Sequence, residues 1–306
     1  MSTFRLHTLG CGSAKPSLRH MPSCSVVNHH ETLYMIDCGE GAQLALMKQH
    51  LPLPKLRHIF LTHLHGDHVL GLPGLIGTMA LQQKGGEVTI HTFADGKRIL
   101  SEIFNYFCRE TPFDIRFNVI GHENAVVFEN HALRVRTVAL DHRVAAVGYV
   151  FEEKPKLRHI NGEMAKYHGV PHYRMREIKE GADFVKPDGT VVANDILTTP
   201  PSPALSYAHL GDTVFHGRIA EEAGPVTLMF HETTYLESEK ALAAPYGHST
   251  ARQAGEAACI AGAHTLITGH YSSRYKDFTP FKAEAESVFP RVILNDEGLV
   301  TDLTKL

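Results

Sequence analysis

Residues 62–68 read Thr-His-Leu-His-Gly-Asp-His and follow a short apolar segment, Arg57–Leu61, which is predicted to be a strand. Four of these seven side chains are of metal-ligand type, namely His63, His65, Asp67 and His68. Imidazoles at alternate positions of an extended segment project to one side, and the following turn brings Asp67 and His68 round to a second point. Such a set of nitrogen and carboxylate donors suits zinc and can serve two neighbouring ions. The segment therefore predicts a two-metal centre at the end of a strand.

Two ions need more ligands than this segment supplies, and three later side chains each follow an apolar strand directly. They are His142 after Leu133–Leu140, Asp212 after Ser206–Leu210, and His270 after Thr265–Thr268. In layered α/β folds the loops at strand ends gather at one edge of the sheet and form the binding site. We therefore expect these three residues to complete a seven-ligand centre.

Strands and helices alternate on both sides of the histidine segment. The predicted strands are Phe4–Leu9, Ser23–Val27, Leu33–Ile36, Arg57–Leu61, Val88–Thr92, Leu133–Val138, Ala146–Val150, Ser206–Leu210, Val226–Phe230 and Thr265–Thr268, and the predicted helices are Gly41–His50, Val69–Gln82, Gly96–Cys108, Ser249–Ala261 and Thr279–Ser287. Mixed strands and helices in two successive blocks predict an α/β sandwich with the sheets inside and the helices outside.

Composition limits the class of protein. The chain has 306 residues, a net charge of −3 and 43% hydrophobic residues, which suffice for a buried core. No apolar run approaches the roughly 18 residues of a membrane span, and the N-terminus lacks the basic and apolar regions of a signal peptide. Five scattered cysteines indicate reduced thiols rather than a disulfide framework or a zinc ribbon. We therefore expect a cytoplasmic protein with no membrane partner.

The stretch at about 152–199 differs in character from the rest of the chain. It carries several prolines, many charges and little apolar periodicity, and between Lys154 and Lys186 there are eight basic and four acidic residues. This local excess of positive charge would suit phosphate binding. An insertion of such length is usually functional or disordered, and a solvated surface excursion is the alternative interpretation.

The histidine segment with its later single His, Asp and His resembles the metallo-β-lactamase superfamily, whose fold is a four-layered αβ/βα sandwich. Within that superfamily the chain closely resembles the ribonuclease Z family over nearly its whole length. The shared motifs are L-G-C-G-S-A-K-P at Leu9–Pro16, D-C-G-E at Asp37–Glu40, F-L-T-H-L-H-G-D-H-V-L-G-L-P-G-L at Phe60–Leu75, L-G-D-T at Leu210–Thr213, H-E-T-T-Y at His231–Tyr235, G-H-S-T at Gly247–Thr250 and T-G-H-Y-S-S-R-Y at Thr268–Tyr275. The long histidine block and the last three motifs are typical of ribonuclease Z rather than of the superfamily as a whole.

The resemblance implies a zinc-dependent endoribonuclease that removes the 3′ trailer from precursor tRNA, leaving a 3′-hydroxyl on the tRNA and a 5′-phosphate on the trailer. It further implies that one zinc is held by His63, His65 and His142, that the other is held by Asp67, His68 and His270, and that Asp212 bridges the two. The ions would activate water and stabilise the attacking and leaving oxygens. Manganese or another divalent ion could replace zinc in a His/Asp site.

The same resemblance gives Asp67 a second role as the general base that orients the attacking water, and it makes His248 the proton donor, positioned by Glu232. A carboxylate beside an imidazole fixes its tautomer and supports its cationic form. From the residues alone, His248 could equally be a structural residue at the start of the helix capped by Ser249 and Thr250. His231 is expected to be structural or to support the site from behind.

The resemblance also implies one domain, 1–306, with a flexible arm at about 152–199 that grips tRNA, typically from the other subunit of a homodimer. The nearest match to the Gly-Pro signature of such arms is Gly169-Val170-Pro171-His172. Lys15, Arg19 and Arg274 are candidate phosphate contacts, although each could equally be an ordinary surface residue.

Two other functions remain open. A small-molecule metallo-hydrolase, acting on a phosphodiester, aryl sulfate, lactone or thioester, would share the metal core but would need neither a basic arm nor the Gly247–Thr250 motif. A non-catalytic RNA-binding relative would have lost its metal ligands, whereas all seven positions here carry competent side chains.

Overall fold

The structure is a computed structural model that describes residues 3–82 and 85–306. The first two residues of the N-terminal segment considered above lie outside the described residues. The strands are β1 (Phe4–Gly10), β2 (Cys24–His29), β3 (Thr32–Ile36), β4 (Leu56–Phe60), β5 (Glu87–Thr92), β6 (Asp114–Val119), β7 (Val126–Glu129), β8 (Leu133–Leu140), β9 (Ala146–Glu153), β10 (His159–Ile160), β11 (Phe184–Val185), β12 (Val191–Val192), β13 (Thr198–Thr199), β14 (Ser206–Leu210), β15 (Leu228–Glu232), β16 (Thr265–Gly269), β17 (Val292–Ile293) and β18 (Val300–Asp302). The helices are α1 (Ala42–Lys48), α2 (Gly66–Val69), α3 (Leu72–Leu81), α4 (Ala94–Phe107), α5 (Gly162–Tyr167), α6 (Met175–Lys179), α7 (Asn194–Leu197), α8 (Gly217–Ala223), α9 (Lys240–Tyr246), α10 (Ala251–Ala261) and α11 (Thr279–Glu286).

Two seven-stranded sheets form the centre of the fold, in the orders β18-β1-β2-β3-β4-β5-β6 and β17-β16-β15-β14-β9-β8-β7. Strands β3 to β6 are parallel neighbours in the first sheet. Strands β14 to β17 are parallel neighbours in the second. Because parallel strands end at the same edge of their sheet, the residues that follow β4, β14 and β16 are brought to the edges where ligand sites form.

Alternate residues of the strands face different layers. Met35 and Ile59 pack with the helices α1, α3 and α4 in one apolar cluster. The neighbouring aromatic residues face the other sheet, where Phe60 meets Tyr149 with ring centroids 5.1 Å apart and Tyr34 meets Phe151 at 6.2 Å. The second sheet packs with α8, α10 and α11 in a further cluster. The α/β sandwich of the metallo-β-lactamase type is therefore confirmed.

The helix predicted over Val69–Gln82 is present as α3 but begins at Leu72, because the chain breaks at Gly71 between α2 and α3. Gly71 donates its N–H to Cys38 O at 2.9 Å, and a Cβ on Gly71 would lie 2.0 Å from Gly39 O. Glycine is therefore required where the loop after β3 crosses the helix. Among the residues that the structure describes, no helix combines the length and the apolar character needed to cross a bilayer.

Contacts between Cα atoms divide the chain into two compact units. The larger contains Met1–Glu129, Arg134–Phe151 and Leu205–Leu306, and the smaller contains Asn130–Leu133 and Glu152–Ala204. The smaller unit has its own apolar core, formed by Ala165, Val170, Ile178, Phe184, Val192 and Leu197. Its helices α5 to α7 and strand pairs β10–β13 and β11–β12 are each six residues or shorter. Elements so short give little periodicity, which explains why sequence patterning did not indicate them.

The basic excess counted between Lys154 and Lys186 does not extend over the whole segment. Across 152–199 there are eight basic and eight acidic residues. Several of them pair within the smaller unit, including Lys156 with Glu153 at 2.7 Å and Arg176 with Glu180 at 3.0 Å. Net charge therefore gives no support to phosphate binding by this segment as a whole, and any such contact would depend on the local arrangement of its surface.

Candidate metal centre

All seven ligand-type residues predicted from the sequence converge at one end of the sandwich. Strand β4 leads into His63, His65, Asp67 and His68, and β8, β14 and β16 lead into His142, Asp212 and His270. Two residues at this end have unusual backbone geometry: the ligand-type residue His270 has φ of 60°, and Asp37, after β3, has φ of 56°. Strain of this kind persists where the surrounding structure fixes it, and it is frequent at functional sites.

Four side chains form the first ligand group, namely His63, His65, His142 and Asp212. His65 Nδ1 lies 2.9 Å from His63 Nε2 and 3.2 Å from His142 Nε2. Asp212 Oδ2 is 3.8 Å from His63 Nε2. Burial lowers the pKa of His63, His65 and His142, so these imidazoles are neutral and each has a nitrogen lone pair for a cation.

Asp67, His68 and His270 form the second group. Asp67 Oδ2 is 3.6 Å from His68 Nε2 and 3.7 Å from His270 Nε2. Asp212 faces this group as well, with Oδ2 3.6 Å from His68 Nε2 and Oδ1 3.1 Å from His270 Nε2. One carboxylate thus lies between the two groups, as a bridging ligand must.

Among the described residues, two buried atoms of the second group, His68 Nε2 and His270 Nε2, lack a hydrogen-bond partner, and so does Oδ1 of the bridging Asp212. Buried polar atoms are almost always satisfied, and each exception needs an explanation. These three atoms converge with Asp67 on one point. Divalent cations fit this donor set of imidazole nitrogen and carboxylate oxygen.

Asp37 is a functional residue whose role the sequence reasoning missed, although its motif was noted. Its Oδ2 lies 2.6 Å from His68 Nδ1, and its Oδ1 accepts the N–H of Thr62 at 2.8 Å. The carboxylate is wholly buried. It therefore holds the His68 proton on Nδ1 and leaves Nε2 to face the centre, the arrangement by which carboxylates orient metal-binding histidines.

Three other ligand imidazoles are oriented in the same way by ordinary groups. His142 Nδ1 lies 2.8 Å from Gly247 O, His270 Nδ1 lies 3.0 Å from Thr234 Oγ1, and His63 Nδ1 lies 3.1 Å from Thr62 Oγ1. A backbone carbonyl and two threonine hydroxyls carry no sequence signal of this role. Gly247 has φ of +79°, which suits glycine and allows its carbonyl to turn toward His142.

His248, which is partly exposed, pairs with the buried Glu232 beside the ligands. His248 Nδ1 lies 3.1 Å from Glu232 Oε1, and Glu232 also accepts the N–H groups of Ser249 and Thr234 at 2.8 Å each. Burial disfavours the charged imidazole, but Glu232 and then Asp212 outweigh it and raise the pKa of His248 to about 9. His231 points away, its Nδ1 lying 2.8 Å from Glu232 O in the core of β15. His248 therefore holds a proton at neutral pH.

A cavity of about 400 Å³ opens over this centre. The ligands His65, Asp67, Asp212 and His270 line it together with His248. Arg143, Tyr235 and Tyr246 also line it, and sequence reasoning assigned none of them. Arg143 follows a ligand directly, which is the one signal that could have identified it.

The three proposed phosphate contacts lie outside this lining. Lys15 and Arg19 line a neighbouring cavity of about 410 Å³. Arg274 stacks over Tyr235 with its guanidinium carbon 5.2 Å from the ring centroid and pairs with Glu239 at 3.0 Å. Arg274 thus reaches the mouth of the metal cavity only through Tyr235.

Comparisons with known proteins cover the N-terminal half in one case and nearly the whole chain in the others. A family model described as "Anti-Pycsar protein Apyc1" matches residues 4–154, which include His63 to His142 but not Asp212 or His270. The chain is 43% identical over 300 residues to a ribonuclease Z of Parabacteroides distasonis, covering 98% of this chain and 99% of the relative. It is 42% identical over 304 residues to a ribonuclease Z of Bacteroides fragilis, covering 99% and 100% respectively.

Solved structures show the same fold at lower identity. The short form of human tRNase Z superposes with a TM-score of 0.70 and 22% identity, over 98% of this chain and 99% of that one. The metallo-β-lactamase fold protein YhfI from Bacillus subtilis gives a TM-score of 0.69 and 15% identity, over 99% and 100%.

Proposed function

The chain belongs to the ribonuclease Z family of metal-dependent endoribonucleases with the metallo-β-lactamase fold, and on that premise we propose that it removes the 3′ trailer from precursor tRNA. The cut leaves a 3′-hydroxyl on the tRNA and a 5′-phosphate on the trailer. The observation that carries this proposal is that both ligand groups and the His248–Glu232 pair meet at one cavity of about 400 Å³. A binding module without catalysis would need no proton donor beside its metal ligands.

The proposal assigns two divalent ions to the centre. His63, His65 and His142 would hold one, Asp67, His68 and His270 would hold the other, and Asp212 would bridge them. When bound, the pair of ions supplies Lewis acidity that activates water and neutralises charge on the reacting phosphate. Zinc is the best match to three neutral imidazoles in the first group, and manganese is the alternative ion.

Asp67 orients the attacking water in this proposal. One of its oxygens, Oδ2, already accepts the N–H of Ala14 at 2.7 Å and lies near His68 and His270. Burial opposes its ionisation, but the nearby His270 and His68 outweigh burial and lower the pKa of Asp67. The carboxylate is thus fixed and ionised, which suits it to positioning water more than to storing a proton.

His248 acts as the general acid. Its Nδ1 is held by Glu232, so its Nε2–H is the proton available to the substrate. As the bond between phosphorus and the ribose 3′ oxygen breaks, this proton passes to that oxygen and yields the 3′-hydroxyl. Glu232 stabilises the imidazolium until transfer and fixes the ring in place.

The segment at about 152–199 is proposed as the arm that binds tRNA within a cytoplasmic homodimer. Its exposed tyrosines, Tyr167 and Tyr173, offer rings for stacking on nucleotides. Lys166 lies beside the first of them and supplies positive charge locally, although the segment is neutral overall. Arg174 lies beside the second but pairs with Glu177 at 3.0 Å. Binding through stacking and a few cations depends less on salt than binding through a broad basic surface.

The direct test is to incubate the purified protein with a precursor tRNA that carries a 3′ trailer and to map the cut. A second substrate, bis-p-nitrophenyl phosphate, meets only the metal centre. Replacing 152–199 with a short Gly/Ser linker should abolish tRNA cleavage and leave hydrolysis of the small phosphodiester nearly intact. Equal loss on both substrates would mean that the segment supports the fold. Full retention on both would refute a role of the segment in tRNA binding and make it a solvated surface excursion.

Point variants sharpen the test of the arm. Tyr167→Ala with Tyr173→Ala should raise the KM for precursor tRNA while leaving small-substrate hydrolysis unchanged. The matched control is Tyr106→Ala with Phe107→Ala, since these aromatic residues are similarly exposed on α4. Mixing the linker variant with His248→Ala chains tests the dimer: activity on tRNA should return only if subunits associate and one arm serves its partner's site.

A further inference from the structure

A second group of ligand-type side chains lies outside the His/Asp centre, where the loop after β1 meets the loop before β18. Cys11 Sγ is 3.5 Å from His20 Nδ1, and Glu297 Oε1 is 3.8 Å from the same nitrogen. The ligand atoms of all three residues lie within 4.8 Å of one another. We call Cys11, His20 and Glu297 the thiol cluster. None of its members belongs to the catalytic ligand set.

The separations are those of ligands around a tetrahedral ion. With usual zinc bond lengths, sulfur and nitrogen ligands lie about 3.6 Å apart, and nitrogen and oxygen ligands lie about 3.4 Å apart. The observed 3.5 Å and 3.8 Å differ from these values by a few tenths of an ångström. The carboxylate of Asp296 also lies 3.8 Å from His20 Nδ1, on the exposed side, and adds negative charge beside the three ligands.

The backbone holds the cluster in this arrangement before any ion arrives. Gly12 donates its N–H to Met21 O at 2.9 Å, and Met21 in turn donates its N–H to Glu297 Oε1. A Cβ on Gly10 would lie 1.9 Å from Pro22 O, so only glycine permits the two ends of the loop after β1 to approach so closely. His20 thus lies between Cys11 and Glu297. A cation would need little rearrangement of these side chains to bind.

We propose that the thiol cluster binds one divalent transition-metal ion, with zinc as the best match. Thiolate, imidazole and carboxylate donors together favour zinc over magnesium or calcium, which prefer oxygen ligands. Binding replaces the S–H bond of Cys11 by a sulfur–metal bond and releases the proton to solvent. Two carboxylates beside the cysteine supply the negative charge that attracts the cation.

The rival interpretation is a reactive or redox-active cysteine, and the surroundings of Cys11 argue against it. Reactive cysteines lie in electropositive, partly exposed sites that lower the thiol pKa. Here burial, together with Glu297 and Asp296, raises the pKa of the Cys11 thiol. Without a metal the sulfur therefore stays protonated and unreactive, whereas a cation would favour the thiolate directly.

An ion bound by the thiol cluster would stabilise the loop after β1, which contacts the catalytic centre. Cys11 O accepts the N–H of Tyr271, the residue after His270, at 2.9 Å. Two residues beyond Gly12 along the same loop, Ala14 donates its N–H to Asp67. The loop that the ion would fix therefore contacts one catalytic ligand and the neighbour of another. This gives the ion a structural role distinct from the two ions proposed for catalysis.

Cobalt distinguishes the two kinds of site, because the catalytic ligands contain no sulfur. Metal-free full-length protein is titrated with Co²⁺, and the thiolate-to-cobalt charge-transfer band in the near ultraviolet is recorded. The band should appear in the wild type, vanish in Cys11→Ser and weaken in His20→Gln. It should persist in Cys259→Ser, the matched control with a free and exposed thiol. Zinc content should also fall by one equivalent in Cys11→Ser relative to that control.

Absence of the band in wild-type protein whose His/Asp centre is filled with cobalt would overturn the proposal, as would a band that survives in Cys11→Ser. In either case the short contact between sulfur and His20 would be an ordinary hydrogen bond. If Cys11→Ser does not fold, His20→Gln and Glu297→Gln keep the thiol and test the same cluster by the loss of cobalt affinity. Because the readout is sulfur ligation, its failure leaves the catalytic proposal untouched.

Discussion

Replacing Asp37 with asparagine tests how the fold controls the metal centre, because it leaves every proposed metal ligand in place. Asp37 accepts from His68 Nδ1 at 2.6 Å through one oxygen and from the Thr62 N–H at 2.8 Å through the other. Its φ of 56° is one that asparagine adopts readily. The backbone should therefore be unaffected, and the substitution changes only one oxygen into an amino group.

The amide cannot satisfy both neighbours. If its oxygen keeps the Thr62 N–H, its NH₂ faces His68 Nδ1 and forces the imidazole proton onto Nε2, the atom that faces Asp67 and Asp212. If the amide turns over, two buried donors face each other at Thr62. Losing an outer partner of this kind typically weakens metal affinity by about 10–100-fold, which corresponds to about 1.4–2.7 kcal/mol.

The assay is a zinc titration of metal-free protein against a competing chelator, with Asp302→Asn as the control. Asp302 pairs with Arg5 at the surface and loses the same charge far from the centre. We expect one of the two catalytic ions to weaken in Asp37→Asn, because only His68 loses its orientation, and no change in the control. Unchanged affinity for both ions in Asp37→Asn would refute the tautomer argument, and an equal loss in both variants would reduce it to an effect of net charge.

Three further outcomes are expected. His248→Ala should keep its catalytic metal but lose about 10²–10⁴-fold in the rate of tRNA cleavage, the usual contribution of a general acid; loss of metal in this variant would make His248 a ligand instead. Asp212→Ala should lower the metal content of the Cys11→Ser background below two equivalents, measured by elemental analysis. Burial lowers the pKa of His58 from 6.5 to about 4 and that of His91 to about 3. Below pH 6.5 these two histidines therefore take up protons in the unfolded chain but not in the folded one, and this favours unfolding. Urea unfolding in chelator should show stability falling between about pH 6.5 and 4, by about 3 kcal/mol for His58 alone, and a shallower fall in His58→Gln.

The parts of the centre that were predictable from the sequence share one property. Ligands such as His63 and Asp212 are specialised residues that follow strands directly, and parallel strands necessarily end at a common edge. Strand positions were predicted to within a few residues for the same reason, since burial on both faces gives continuous apolar runs. The break at Gly71 was not predictable, because it depends on a loop 32 residues earlier in the chain crossing the helix.

The smaller unit shows where prediction from the sequence fails. Its apolar residues, such as Ile178 and Phe184, are buried, but they are spread over elements too short to show a period. Charge counting failed there for a related reason. The net charge depended on where the counted segment, Lys154 to Lys186, began and ended. In the structure, acids outside that segment, such as Glu153 and Asp195, pair with bases inside it. What a charged segment presents to a partner depends on these pairings and not on its sum.

The orientation of the ligands depends on two buried carboxylates, one from each sheet, that act through threonines. Asp37, after β3, lies against His68 and accepts the hydroxyl of Thr62 at 2.8 Å, whose oxygen faces His63. Glu232, at the end of β15, accepts the hydroxyl of Thr234 at 2.7 Å, whose oxygen faces His270.

Each carboxylate–threonine pair therefore fixes the protons of two imidazoles: His68 and His63 in the first pair, and His270 and His248 in the second. A protonated carboxylate in either position would reverse these hydrogen bonds. The ligand set and the proton donor are thus linked through Glu232, so substitutions of this residue should affect metal binding and proton transfer together, whereas substitutions of His248 should affect only the latter.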